Sequence, residues 1–154
     1  MNFLFRISLL FTCICLITLF ARDAAHAEEN IRIGIMAAMT GPYAEYGLEA
    51  KRGVELALHE FEGRAGGKNV ELIFEVGDET STLIAARAQD LILQHGADII
   101  VGPLSGGEGL ALKEYAKTMP EITFLNGASA ARDLTFIDPA ANFFRFTTDA
   151  AQWM

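Results

Sequence analysis

The chain has 154 residues, a length that suits one compact domain with a hydrophobic core. Asp and Glu outnumber Lys and Arg by 20 to 12, and the formal net charge of -8 argues against a nucleic-acid-binding protein, because such proteins present a basic face. Both cysteines, Cys13 and Cys15, precede the part that we expect to fold, so we expect neither disulfides nor thiol chemistry.

The first 27 residues are typical of a secretory signal peptide. Arg6 gives the N-terminal region a positive charge, residues 7–20 form an apolar run, and Ala25-His26-Ala27 is an A-x-A cleavage pattern. A membrane anchor is the alternative, but the apolar run is short for a bilayer span, which needs about 20 residues. We therefore expect residues 1–27 to be removed and residues 28–154 to be exported to the periplasm as a soluble protein.

Strand and helix patterns alternate along the rest of the chain. Apolar runs predict five strands, over residues 31–38, 70–76, 98–101, 122–125 and 142–146. Helical spacing of apolar residues predicts helices over residues 46–62, 83–94 and 110–119, and another that begins at Asp149. This alternation is typical of an α/β fold, in which a parallel sheet is covered by helices on both faces.

Two of the predicted helices have a clear apolar face, and glycines follow the first of them. In helix 46–62 the apolar residues on one face are Ala50, Val54, Ala57, Leu58 and Phe61. In helix 83–94 the residues expected to point inward are Ile84, Ala88, Leu91 and Ile92. The first helix is expected to end in a turn that contains Gly63, Gly66 and Gly67.

Four loops follow the carboxyl ends of predicted strands, where sheets of this class bind ligands: residues 40–46, 78–82, 104–108 and 126–130. All four leave the same edge of a parallel sheet, so they can converge. The third lies in the stretch DIIVGPLSGGEG and leads into a helix, whose first N–H groups suit an anion such as a carboxylate. Gly106 and Gly107 have no Cβ to block a ligand, although an ordinary strand-to-helix connection would look the same.

Catalytic and metal-binding patterns are weak in this sequence. Ser105 lies in G-P-L-S-G rather than in the G-x-S-x-G motif, which disfavours the alternative of an exported serine hydrolase. His59 and His95 fall on or beside helices, away from the loops, and Asp78 and Glu79 have no His or Cys spaced to join them at a metal. No G-x-G-x-x-G follows the first strand. We therefore expect a protein without enzymatic activity, metal or cofactor.

A series of segments along the chain, in order and at normal spacing, carries a family resemblance: IRIGIMAAMTGPYAEYG, VELIFEVGDETS, DIIVGPLSGG, FLNGASA and NFFRFTTDAAQ. They resemble the substrate-binding proteins of bacterial ABC transporters, in particular the branched-chain amino acid type. The resemblance implies a two-lobed periplasmic protein that closes on a small ligand and delivers it to a membrane permease. Residues 28–154 would form most of the first lobe. A ligand-sensing regulator on the same fold is the alternative.

The resemblance also implies which residues contact the ligand: Tyr46, Ser105, Gly106, Ala128, Ser129 and Ala130. Tyr46 would pack beside the ligand, and Ser105 or Gly106 would bind its carboxylate. The carbonyl of Ala128 and a hydroxyl nearby would hold an ammonium group. That hydroxyl position falls on Ala130 by ungapped count, or on Ser129 if the loop is shifted by one residue. With Ala130 there, the ammonium lacks a partner and the ligand is not a standard amino acid.

The end of the sequence indicates how much of the two-lobed protein we expect these residues to form. The sequence reaches Met154 where a new helix is predicted to begin, so we expect the second lobe, and the chain that returns from it, to be missing. Residues 28–154 alone are then expected to bind ligand weakly and to expose apolar surface around Phe143, Phe144, Phe146 and Trp153.

Exported protein is expected to begin at Glu28, because cleavage follows the A-x-A pattern. N-terminal sequencing of the protein from a periplasmic fraction measures this directly. Retention of residues 1–27 in a membrane fraction would contradict the cleavage and indicate an anchor.

Overall fold

The computed structural model describes residues 30–77 and 82–152, so the predicted signal peptide lies outside the described residues. The strands are β1 Ile31–Ala38, β2 Arg64–Ala65, β3 Lys68–Gly77, β4 Ile99–Val101, β5 Thr123–Asn126 and β6 Phe143–Arg145. The helices are α1 Ala44–Glu60, α2 Ile84–Leu93, α3 Gly106–Ala116 and α4 Asp133–Phe136. None of the helices in the described part is long and apolar enough to cross a membrane.

The strands form one sheet in the order β2-β3-β1-β4-β5-β6. All neighbours pair in parallel except β2 and β3, which form a short antiparallel hairpin. The prediction of a parallel sheet is therefore confirmed, and each of the five predicted strands is present. The sequence analysis missed β2, which has only two residues; its turn contains Gly66 and Gly67 at φ 58° and 83°, as their position in a predicted turn suggests.

One face of the sheet carries the hydrophobic core. The pairing register places a row of residues side by side on this face: Ile73, Gly34, Ile100, Phe124 and Phe143. Helices α2 and α3 cover the row, and all four residues predicted to point inward from α2 are buried. Phe124 is completely buried, with its ring 6.4 Å from that of Phe143 and 6.3 Å from that of Tyr115. Burial of this row is what holds α2 and α3 on the sheet.

Among the described residues, the opposite face is covered only over the half formed by β3 and β1. Helix α1 lies there, with the Lys51 ammonium 5.1 Å from the centre of the Phe74 ring. Helices thus lie on both faces, as predicted. Towards β6 the face is open, and Phe144 and Phe146 are 52% and 69% exposed, as expected. The expectation that Phe143 is exposed is wrong, because alternation along β6 directs its side chain into the core on the other face. Trp153 lies outside the described residues.

Helix α1 is less buried than its sequence predicts. Of its apolar face, Val54 and Leu58 are half-buried, while Ala50 and Ala57 are exposed. The exposure follows from the open half of the sheet beside α1. The helix is instead held closely at Gly47, which is buried against the backbone of β1.

Three local features differ from the predictions. Helix α3 begins at Gly106 rather than at residue 110, because Ser105 caps it. Helix α4 has four residues, too few for an apolar period to identify it. The helix predicted from Asp149 is a turn in the described residues, where the Oδ1 atom of Asp149 accepts hydrogen bonds from the N–H groups of Ala151 and Gln152.

Gly47→Ala is expected to destabilise the protein by roughly 1–3 kcal/mol, the usual cost of overpacking. The added Cβ would lie 1.8 Å from the carbonyl oxygen of Ala38, so α1 would have to shift. Gly53→Ala in the same helix is the matched control, because its added Cβ meets no described atom within 4 Å apart from its chain neighbours and the backbone of its own helix. It should stabilise the helix by up to about 1 kcal/mol. Urea unfolding measures both free energies, and equal effects would contradict the close contact at Gly47.

Candidate functional site

Three of the four predicted loops meet around one apolar cavity of about 290 Å³ at the carboxyl edge of the sheet. Its walls come from the end of β1, from α1 and from the loops after β4 and β5, and include Ala37, Ala38, Tyr46, Leu104, Gly127 and Ala128. Parallel pairing of β1, β4 and β5 causes this convergence, since their carboxyl ends share one edge. Residues 78–81 of the remaining loop lie outside the described part of the chain.

Aromatic rings line two sides of this cavity. Tyr46 lies in the first turn of α1 and its ring centre is 6.2 Å from that of Tyr43. Phe146, just after β6, also lines the cavity and packs closely over Gly127. The sequence analysis named Tyr46 as a ligand contact, but it named Phe146 only as exposed apolar surface. The place of Phe146 beside the cavity depends on the pairing of β6 with β5. Both side chains are mostly exposed, so both are accessible to a ligand.

Ser105 and Glu108 form a capping box at the start of α3. The Oγ atom of Ser105 accepts from the N–H of Glu108 at 3.3 Å and donates to the Glu108 carboxylate at 3.0 Å. The same carboxylate accepts from the N–H of Ser105 at 3.3 Å. The spacing S-x-x-E was a signal for this motif, and the sequence analysis did not use it.

The capping box decides what this loop can offer an anion. A serine hydroxyl has one proton to donate, and in Ser105 that proton is directed at Glu108, which is only 5% exposed. The N–H groups of Gly106 and Gly107 begin the helix and have no partner within it. An anion at this point would therefore be bound by backbone N–H groups rather than by the Ser105 hydroxyl.

The loop after β5 is held from inside by Asn126, whose side chain is completely buried. Its Nδ2 donates to the carbonyl of Ser129 at 2.7 Å, and its Oδ1 accepts from the N–H of Ser129 at 3.0 Å and of Ala128 at 3.4 Å. The carbonyl of Ala130 accepts from the N–H of Ala150 at 2.9 Å. The loop is therefore fixed through its backbone.

Ser129 and Ala130 are oriented differently in this loop. Ser129 is completely buried, and an added Cβ at Gly109 in α3 would lie 2.6 Å from its Oγ, so the hydroxyl points at that helix. Within the described residues this hydroxyl has no hydrogen-bond partner. Ala130 is half-buried and brings no hydroxyl, and Gly127 and Ala128 are the residues of this loop that line the cavity.

A buried ion pair supports the same loop from behind. The guanidinium of Arg145 donates to the carbonyl of Ala131 at 2.9 Å and to Oγ1 of Thr135 at 2.8 Å, and lies 3.6 Å from the Asp149 carboxylate. Both charged side chains are over 90% buried, so each charge is stabilised by the opposite charge of the other. This pair joins β6, α4 and the loop into one unit.

A cluster of charged side chains with shifted pKa values lies at the opposite edge of the sheet, where α3 ends. Lys117 donates to the carboxylates of Asp138 and Glu114 and lowers the pKa of both, while they raise the pKa of Lys117. His95 also lies at that edge, because it precedes β4 whereas Ser105 follows it. Ser105 and His95 are thus separated by the strand. Among the described residues, no group of three or more His, Cys, Asp or Glu side chains could hold a metal ion.

The sequence and the fold match a known family. The sequence profile described as periplasmic binding protein matches residues 30–154, and the chain belongs to this family. Its relatives are substrate-binding proteins of transporters and not enzymes, and the family is extracytoplasmic. The Leu/Ile/Val-binding protein BraC3 of Rhizobium johnstonii is 29% identical over 91 residues, which cover 58% of this chain and 24% of that protein.

Solved structures share the fold. The branched-chain amino acid binding protein LivJ of Streptococcus pneumoniae, in complex with isoleucine, has a TM-score of 0.70 at 24% identity over 79% of this chain and 34% of its own. A solute-binding protein from R. palustris, in complex with benzoate, has a TM-score of 0.76 at 22% identity over 80% of this chain and 34% of its own. The chain thus spans about a quarter of the curated relative and a third of these structures.

Ser129→Ala is expected to leave the free energy of unfolding unchanged or to raise it, because a buried hydroxyl without a partner costs its desolvation. Ser105→Ala should lower it by about 1 kcal/mol through loss of the helix cap. Chemical denaturation of the two variants beside the parent gives both values. A large destabilisation by Ser129→Ala would contradict the unpartnered hydroxyl.

Proposed function

We propose that the protein is the substrate-binding component of an ABC uptake transporter, exported to the periplasm, which binds a small carboxylate-bearing ligand and delivers it to a permease. The observation that carries this proposal is the convergence of three strand-end loops on one apolar cavity. Helix α3 begins at Gly106, two residues after Leu104, which lines that cavity. The cavity suits an apolar group, and the first N–H groups of α3 suit a carboxylate. An amino acid of the branched-chain type has both.

The remainder of a two-lobed protein would complete the site. The sheet face towards β6 is open, with Phe144 and Phe146 exposed, as expected where further chain packs. Closure of a second lobe would exclude water from the cavity and strengthen the polar contacts of the carboxylate. The lobe described here would then supply one wall of an inter-lobe cleft.

A second candidate ligand is a carboxylate without an α-ammonium group. The observation that favours it is the direction of Ser129, whose hydroxyl points into the core. This direction supports Ala130, rather than Ser129, at the position where the family resemblance implies an ammonium-binding hydroxyl. The benzoate bound by the R. palustris protein is a ligand of this kind. The carboxylate end would be held as in the first candidate, and only the ammonium contact differs.

The two candidates are distinguished by ligands that differ in one group. We expect leucine or 4-methylpentanoate, which is leucine without its ammonium group, to raise the melting temperature of the protein produced from the complete gene. A ligand present at 100 times its dissociation constant raises the free energy of unfolding by about 2.7 kcal/mol. Benzoate extends the comparison to aromatic acids, and leucinamide and benzamide are the controls that lack a carboxylate.

A larger shift with leucine than with 4-methylpentanoate would support the amino acid, and the reverse order would support the second candidate. Shifts produced by the amides and not by the acids would contradict a carboxylate ligand. Labelling of Ser105 by a fluorophosphonate would contradict the binding function itself and support the serine hydrolase.

A further inference from the structure

Asn126 ends β5 with a polar side chain that is completely buried and does not line the cavity. Its backbone carbonyl accepts from the N–H of Phe146 at 3.2 Å, so the residue is anchored to β6. Its side chain is directed along the following loop, to the backbone of Ala128 and Ser129. The sequence analysis placed Asn126 in a loop and gave it no role.

The carboxamide matches this loop because it both donates and accepts. Its nitrogen binds the Ser129 carbonyl at 2.7 Å while its oxygen receives the N–H groups of Ser129 and Ala128. An ionised carboxylate could accept from the same N–H groups but would face the carbonyl without a proton to donate. An alanine would leave the buried backbone groups of Ser129 unpaired, which is unfavourable.

Within the described residues, the backbone of Ala128 and Ser129 is hydrogen-bonded to Asn126, whereas the carbonyls of Ala130 and Ala131 are held by Ala150 and Arg145. Residues 127–131 read GASAA, and the one polar side chain among them, Ser129, has no hydrogen-bond partner in the described structure. Asn126 draws the carbonyl of Ser129 away from the cavity and leaves Ala128 as the exposed residue of the loop that lines it. The position of the Ala128 backbone therefore depends on the Asn126 carboxamide.

We propose that Asn126 is a positioning residue of the binding site, which sets the loop around Ala128 in the conformation that receives the ligand without touching the ligand itself. This inference rests on the proposed ligand-binding function. A loop fixed before binding loses less conformational freedom when the ligand arrives, so the carboxamide contributes to affinity as well as to stability.

Asn142 provides a matched control. It is also an asparagine whose Nδ2 lies within hydrogen-bond distance of backbone carbonyls, those of Ala116, Met119 and Ile122, at 2.8–2.9 Å. It precedes β6, whereas Asn126 ends β5, so the two lie at opposite edges of the parallel sheet. Asn142→Ala should thus destabilise the fold as Asn126→Ala does, far from the cavity.

The experiment compares Asn126→Ala with Asn142→Ala in the protein produced from the complete gene. Calorimetry with leucine, 4-methylpentanoate and benzoate measures affinity, thermal unfolding measures stability, and hydrogen exchange measures protection of the Ala128 and Ser129 amides. We expect Asn126→Ala to weaken binding about tenfold or more and to expose those two amides. Asn142→Ala should lower the melting temperature and change affinity less than about twofold.

Each outcome decides the inference. Equal losses of affinity in the two variants, or unchanged exchange of Ala128 and Ser129 in Asn126→Ala, would overturn it. If the unsubstituted protein binds none of the three compounds, the proposed ligand class fails, and the exchange data still decide whether Asn126 fixes the loop. Should Asn126→Ala not fold, Asn126→Ser replaces it, because its single hydroxyl brings no charge into the core and cannot make all three hydrogen bonds of the carboxamide; unchanged affinity in that variant would also overturn the inference.

Discussion

Parallel, in-register pairing of β1, β4 and β5 is the constraint on which the site depends. Ile33–Ile35 pair with Ile99–Val101, which in turn pair with Thr123–Leu125, so that the carboxyl ends of the three strands lie at one edge of the sheet. A loop follows each of these strands at that edge, and the cavity lies where the loops meet. Slippage of one strand by a single residue would exchange its two faces and separate the loops. Core burial of Ile100 and Phe124 is what prevents such slippage.

The polar side chains at this edge act mainly on the backbone. Glu108 bonds to Ser105 at the start of α3, Asn126 bonds to Ala128 and Ser129, and Arg145 bonds to Ala131. What the loops then offer a ligand is N–H groups, a small-residue surface and two aromatic rings. Such a surface has a shape fixed by backbone hydrogen bonds and few polar side chains.

The general location of the site could be predicted from the sequence, whereas the roles of its residues could not. Apolar runs and small-residue loops are local features, and parallel order places the ends of the strands at one edge whatever the details. Whether Ser129 or Ala130 faces the cavity depends instead on the surroundings of the Ser129 side chain. These include Gly109 of α3, which lies 20 residues earlier in the chain. The ligand contacts assigned by resemblance to Tyr46, Ser105, Gly106 and Ala128 stay predictions.

The sequence by itself determined the alternation of strands and helices, the buried face of α2 and the edge at which the loops lie, because each follows from periodicity within a few neighbouring residues. Only the tertiary structure decided that Phe143 is buried and Phe144 exposed, that Gly47 of α1 is buried against the backbone of β1, and that the hydroxyl of Ser129 faces the core. These outcomes depend on which element lies against each residue. Such contacts join parts of the chain that are distant in sequence, so no local pattern records them.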